Sequence, residues 1–344
     1  MSDEYGMTDE TPKKILFCGD TLGRFKYSPA DFKLEFPEAA IFCNLEAALD
    51  PSQRALSDDI ALGEEDVASL KSGGVSGVAL ENNHTNDLRT KSSLMKQLIR
   101  CDVLCANVGE VGRVEFSLGT ATVCVINAYF SLPIFRYSYE GALHKKIIAE
   151  LKRSKAKRKV IFLHWGYEYT SRPSPLQRKM ARDYVSHGCD LVIGHHPHVV
   201  QGAEVIGESH IYYSLGNFNF PPQRSDKKNE ESIGLILSYD ITTGVLEEIH
   251  IGIDEDYRPF RLSGGKLKVA QCNFKQRCDS LTDDSSQWLL SDYRDWYAWE
   301  RDNWLMSLGE KFFSVETVKF LAWVLMPFQW PFYIATWVGK IKPE

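Results

Sequence analysis

The residues with chemical capability in this chain stand at the ends of short apolar runs. Ile15–Cys18 leads into Gly19-Asp20, Ile41–Cys43 into Asn44-Leu45-Glu46, and Val75–Leu80 into Glu81-Asn82-Asn83-His84, with Asp87 three residues on. Val160–Leu163 leads into His164-Trp165-Gly166, with Glu168 following. Leu191–Ile193 leads into Gly194-His195-His196-Pro197-His198, and Ile211–Tyr213 into Ser214-Leu215-Gly216-Asn217-Phe218. Imidazole, carboxylate and carboxamide groups are the donors that Mn, Zn or Fe ions accept. Thiolates are absent from the set, so a structural cysteine–zinc site is not indicated. Asp20, Glu46, Asn83, His84, His164, His196 and His198 are more donors than one tetrahedral ion takes, which points to two divalent ions.

Each residue also has a plainer reading. Asp20 after a glycine suits a strand-closing turn. Asn83 suits a helix cap, and His84 a helix-start histidine held by Asp87. His164 beside Trp165 could be core, although it ends a strand with no obvious partner in sequence. His196 and His198 flank Pro197, whose rigid extension sends alternate side chains to one side. His195 then faces away, into the surroundings of the site or the core. Glu168 is a rim residue near substrate or a salt-bridge partner of Arg172. Arg24 either meets an anionic substrate or is a surface arginine. Asn44 adjoins the set, and Asn217 sits in a tight turn where it can bond backbone. His144, His187, His210 and His250 carry no functional expectation.

Positioning so many strand ends requires an α/β domain. From Lys13 to about Asp254, β-branched runs alternate with helix-like stretches, the candidate helices being Glu64–Ser72, Ser92–Arg100, Leu143–Arg153 and Pro175–His187. Ile233–Tyr239 and Val245–Ile253 read as a hairpin about Thr243-Gly244. In α/β sheets ligands bind beyond the carboxyl ends of the strands, so the polar ends converge on one rim. Lys152–Lys159 is strongly basic and reads as a solvated helix end turning into a strand, the alternative being contact with an anionic lipid or polymer.

The six segments taken in order resemble the CapA-type capsule or poly-γ-glutamate synthesis proteins, a family similar to calcineurin-like metallophosphoesterases. The resemblance covers about residues 13–255. It implies a four-layer α/β/β/α sandwich of two mixed sheets with the site at one edge. It further implies that Asp20, Glu46 and His198 hold one ion and that Glu46, Asn83, His164 and His196 hold the other, Glu46 bridging. The ions would activate water for in-line attack on a phosphoryl or acyl centre. His84 is then the general acid and Asp87 the group that fixes its tautomer. The general phosphoesterase pattern has Asp-x-His on the first strand, where this chain has Asp20-Thr21-Leu22. Its Gly-Asp-x-x-Asp is replaced by Asn44-Leu45-Glu46. Both departures are shared with the CapA-type pattern, but they leave one ion with fewer ligands.

Composition sets the broader class. The chain has 344 residues, 44% hydrophobic and 25% charged, with net charge −6. It is a globular protein rather than a disordered or fibrous one, and its acidic balance argues against a nucleic-acid partner. Eight cysteines without a Cys-x-x-Cys pair, several in apolar runs, fit free thiols and a reducing compartment. Met1–Lys14 is largely polar, so a cytoplasmic protein is expected, peripheral at the membrane if its C-terminus attaches there.

We read residues 13–263 as the metallophosphoesterase-like domain and 264–344 as an aromatic-rich, mainly helical C-terminal extension. There Trp288–Trp304 suits an amphipathic helix. Phe320–Gly339 is uncharged but interrupted by Pro327 and Pro331, which suits a buried terminal element, an interfacial segment or docking to a membrane partner better than a straight span. Three functions compete: a metal-dependent hydrolase of the CapA type in extracellular polymer formation, acting on an anionic polymer or phosphoester; a non-catalytic accessory subunit that binds polymer or a membrane synthase; and a general phosphodiesterase or phosphatase.

Overall fold

The computed structural model describes residues 14–23, 39–49, 61–85, 90–105, 110–130, 137–220 and 228–282. The chain divides into two compact units, Met1–Trp288 and Leu289–Glu344, and every described residue belongs to the first. Arg24, Asp87, Trp288–Trp304 and Phe320–Gly339 lie outside the described residues.

In the first sheet β1 (Lys14–Thr21), β2 (Ala39–Leu45), β5 (Val75–Ala79) and β6 (Leu104–Cys105) run parallel. An antiparallel wing of β14 (Ile233–Asp240), β15 (Leu246–Ile253) and β16 (Pro259–Arg261) extends from β1, and β13 (Asn217–Asn219) pairs parallel with β1. The order is β16-β15-β14-β1-β2-β5-β6. In the second sheet β8 (Ala121–Tyr129), β9 (Arg158–His164), β10 (Leu191–His195) and β12 (Ser209–Tyr212) are parallel. Antiparallel β7 (Gly112–Leu118) and β11 (Ala203–Ile206) close its edges. Two-residue strands β3 (Ala48–Leu49) and β4 (Ala61–Leu62) form a separate pair.

The cores follow from strand alternation. On β1, Ile15 and Phe17 face the second sheet and pack with Phe42, Val123, Val160, Phe162, Leu191 and Ile193. Phe17, Phe42 and Phe162 meet with ring centroids 5.4–6.1 Å apart. Leu16 and Cys18 face the other way, against α1 (Glu64–Ser72) and α2 (Lys91–Arg100) through Val67, Leu70, Leu94 and Leu98. The far face of the second sheet packs on α3 (Tyr137–Arg153) and α4 (Pro175–Ser186) through Leu143, Ile147, Leu151, Met180, Ala181 and Tyr184. Helices, sheet, sheet and helices thus make the expected four-layer α/β/β/α sandwich of two mixed sheets.

A short α5 (Lys228–Glu231) precedes β14, and α6 (Gly264–Asp279) follows β16. The change of sequence character after 263 places α6 in the extension, yet it packs on the domain. Its Phe274 joins the inter-sheet core and stacks on Tyr212, centroids 6.3 Å apart. In the basic run Lys152–Lys159, Arg153 pairs with Glu150 at the end of α3 and Arg158 with Asp190 as β9 begins, a helix end turning into a strand. All eight cysteines are free thiols. Among the described residues no helix is long and apolar enough to cross a membrane.

Candidate metal centre

The strand ends deliver their polar residues to the gap between the two sheets. Asn44 shares the face of Phe42 on β2, and Glu46 follows it just past the strand. His164 shares the face of Phe162 on β9, and His195 that of Ile193 on β10, the two histidines standing in register. Strict alternation would put Asp20 on the helix side with Leu16 and Cys18. A β-bulge between Cys18 and Asp20 shifts the register against β2, so that Cys18 opposes Cys43 and Asp20 opposes Asn44. The bulge turns Asp20 into the gap. Gly19 makes it possible, because a Cβ there would lie 1.9 Å from the Gly216 carbonyl oxygen.

Asp20 is wholly buried. Its Oδ1 accepts from Asn44 Nδ2 at 2.8 Å and its Oδ2 from the His196 backbone N–H at 3.2 Å. His195 Nδ1 stands 3.5 Å from Oδ1 and His198 Nδ1 3.5 Å from Oδ2. Burial raises the Asp20 carboxyl, but the His195 ring, the neighbouring His198 and the Asn44 amide outweigh it and leave the pKa below the ordinary value. Glu46, also wholly buried, is ringed by histidines. From its Oε1, His164 Nε2 is 3.5 Å away, His198 Nε2 3.8 Å and His84 Nε2 3.9 Å.

His164 Nε2 is 2.6 Å from Asn83 Oδ1, and its Nδ1 is 3.2 Å from Asn44 Nδ2. Burial, with the imidazoles of His196, His195 and His198 adding to it, holds His164 far below the usual histidine pKa. Burial likewise pushes His196 down to about 3. The His164 and His196 rings lie 4.5 Å apart. The His198 ring stacks near Phe220 at 4.8 Å and Tyr169 at 6.0 Å. Its Nδ1 donates to Asn217 Oδ1 at 2.9 Å, since the Asn217 Nδ2 is turned to donate to the Glu231 carbonyl at 3.2 Å.

The Gly194–His198 segment differs from the expected rigid extension about Pro197. His196 and His198 have φ of 94° and 57°, in the left-handed region that non-glycine residues rarely adopt. The loop is coiled rather than extended, because the His196 N–H turns to Asp20 and the Pro197 carbonyl accepts from the Tyr169 N–H at 2.8 Å. Nor does His195 simply turn away. Its ring packs 4.2 Å from Phe162 and borders Asp20.

Asp20, Asn44, Glu46, Asn83, His84, His164, His195, His196, His198 and Asn217 thus form one cluster, while Glu168 is half-buried in the loop after β9. The sequence reading passed over Asn82. Its Nδ2 donates to the Leu45 carbonyl at 2.8 Å, and its Oδ1 accepts from His84 N and from Thr85 N and Oγ1, so it ties the His84 loop to the end of β2. Its place beside Asn83 and His84 was the only available signal.

Among the described residues, two donor groups have ligand atoms all within 4.8 Å of one another: Glu46 with His164 and His196, and Asp20 with Glu46 and His198. Glu46 belongs to both. The set fits divalent cations on its own chemistry, with two buried carboxylates and with His164 and His196 neutral at neutral pH. His196 Nδ1 is buried without a hydrogen-bond partner among the described residues, as a nitrogen facing a cation site would be.

Comparison with known proteins agrees with the motif order. A 252-residue stretch is 29% identical to "Capsule biosynthesis protein CapA" of Bacillus anthracis, covering 67% of this chain and 59% of that protein. This chain therefore spans about three fifths of that relative. A 61-residue stretch is 48% identical to "PGA biosynthesis protein CapA" of Bacillus subtilis (strain 168), covering 18% of this chain and 16% of that one. The solved 5'-nucleotidase of Candida albicans aligns over 77% of this chain and 58% of its own, at 9% identity and TM-score 0.43. Residues 125–222, which carry His164, His195, His196, His198 and Asn217, match the family described as "Bacterial capsule synthesis protein PGA_cap". Over these stretches the chain is similar to CapA-type capsule-synthesis proteins.

Proposed function

We propose that this protein is a metal-dependent hydrolase of the CapA type with two divalent ions (Mn, Zn or Fe), acting on a phosphoester or an anionic polymer during capsule or extracellular polymer formation. The observation that carries this reading is the pair of donor groups that share the buried Glu46 carboxylate. Asp20, Glu46 and His198 would hold one ion, and Glu46, Asn83, His164 and His196 the other. Bound there, the ions supply Lewis-acid polarisation and a water of lowered pKa.

The chain's own groups do the rest. Asn44 holds the Asp20 carboxylate. Asn217 keeps the proton of His198 on Nδ1 and leaves Nε2 facing Glu46. His84, partly exposed with its Nε2 3.9 Å from Glu46, stands where it can give a proton to a departing oxygen or nitrogen. The C-terminal region would bring this site to a membrane or a membrane synthase.

A second reading keeps the fold as a non-catalytic accessory. It draws support from the position two residues after Asp20, where Leu22 is buried in the apolar core and offers no donor, so that among the described residues the Asp20 group has three. Elemental analysis of the purified protein, with a metal-dependent activity screen, tests both. Wild type should contain Mn, Zn or Fe and turn over a phosphoester or amide. Asp20→Ala should lose metal and activity, and His84→Ala should keep metal while losing rate. Metal-free wild type without activity would end the hydrolase reading. Asp20→Ala and His84→Ala variants that still support polymer formation would favour the accessory.

A further inference from the structure

Hydrogen bonds linked through short stretches of chain run from His198 out to α6 and back. His198 Nδ1 donates to Asn217 Oδ1, and Asn217 Nδ2 donates to the Glu231 carbonyl. The neighbouring Glu230 accepts at Oε2 from Arg277 Nη2, 3.1 Å away. The other arm of the same guanidinium, Nη1, donates to the Val200 carbonyl, two residues beyond His198. Arg277 therefore grips both ends of the chain that orients His198. A guanidinium suits this task because its two arms form a rigid planar fork.

This linkage is anchored on α6. Phe274 of that helix stacks on Tyr212, and Cys278 Sγ accepts from the Ala203 N–H at 3.2 Å. Gly202 lets the helix come close, since a Cβ there would lie 2.7 Å from the Arg277 carbonyl oxygen. His198 needs such support, because a left-handed φ at a non-glycine residue persists only where its surroundings over-determine it.

We propose that Arg277 is a positioning residue. It holds the His196–His198 loop so that the His198 ring faces Asp20 and Glu46, and it makes α6 a part of the metal centre. The proposal rests on the metal-centre reading above and extends it to a residue well outside the 125–222 family match.

The test uses the full chain, stripped of metal, in wild type, Arg277→Met, Arg277→Lys and Glu230→Ala. Mn2+ affinity is measured by titration calorimetry. The imidazole nitrogen spectrum of the metal-free protein reports the His198 tautomer, assigned with His198→Ala, and urea midpoints track folding. Removal of a group that orients a metal ligand typically weakens binding about 10–100-fold, and that loss is expected for Arg277→Met. Its His198 signal should leave the Nδ1–H form. Glu230→Ala should move both readouts the same way by less, and Arg277→Lys should recover part of the loss.

Arg277→Met and Glu230→Ala that bind Mn2+ as wild type does, with an unchanged His198 signal, would overturn the proposal. If Arg277→Met does not fold, Glu230→Ala decides. If wild type takes up no Mn2+, the metal reading fails, and the imidazole spectrum alone decides Arg277: an altered signal supports its role and an unaltered one refutes it.

Discussion

Asn44 shows how one uncharged side chain can make a buried acid tolerable. Its amide donates to Asp20 Oδ1 at 2.8 Å and lies 3.2 Å from His164 Nδ1, while its own oxygen is 3.3 Å from Asn82 Nδ2. A carboxylate with no exposed surface keeps its charge only if hydrogen bonds replace the lost water. A hydrogen bond to a charged group is worth about 1.5–3 kcal/mol, so Asn44→Ala should lower the stability of the metal-free protein by about that amount in urea unfolding. It should also raise the Asp20 pKa, visible as a smaller release of protons on folding in acid. A loss below about 0.5 kcal/mol would mean that Asp20 is neutral or held by other groups. The same logic explains why Asn44 was readable in the sequence only as a neighbour of Glu46. Its value lies in what stands opposite, on β1 and β9.

At the scale of elements, strands and helices were legible because their periodicities are local. The apolar runs became β1, β2, β5, β9, β10 and β12, and Ser174 with Gln177 built the capping box that starts α4, Pro175 opening its first turn. What the pattern could not carry was any device that depends on a distant partner. The bulge at Gly19 answers the Gly216 carbonyl, and the left-handed turns at His196 and His198 answer Asp20 and Asn217. The short edge strand β11 answers α4: Glu204 accepts from Arg178 Nε at 3.0 Å, Arg182 Nη2 at 2.6 Å and Tyr213 Oη at 2.9 Å.

That last cluster has a measurable consequence. Burial raises the Glu204 carboxyl, and the hydrogen bonds from Arg182, Tyr213 and Arg178 more than offset it, so its pKa falls below the ordinary value. A depressed folded-state pKa stabilises above the unfolded value of about 4.3, and that stabilisation is lost as pH drops through the folded-state pKa. Wild type should therefore exceed Glu204→Gln in stability at pH 7, with the gap closing towards pH 3. A gap that is constant or widens in acid would show that the carboxylate charge is not what ties β11 to α4.

At the scale of the whole molecule, the candidate centre lies between two sheets that otherwise meet through an apolar core. Asp20 and Glu46 come from the first sheet, and His164, His196 and His198 from the second. The Phe17–Phe42–Phe162 contact needs no metal, so the fold should survive chelation. A cation gripped from both sides binds the native arrangement and not the unfolded chain, which cannot bring those residues together. Such a ligand at 100 times its Kd adds about 2.7 kcal/mol of stability, and for a domain of this size 1 kcal/mol shifts Tm by about 2–4 °C. Chelated wild type given Mn2+ at that excess should therefore gain about 5–10 °C in Tm. The gain should vanish in His164→Ala/His198→Ala, which removes one donor from each group sharing Glu46. An equal gain in that variant would assign the Mn2+ to some other surface. No gain in wild type would mean that the two sheets approach each other without a cation between them, and that the convergence of acids and imidazoles serves another purpose.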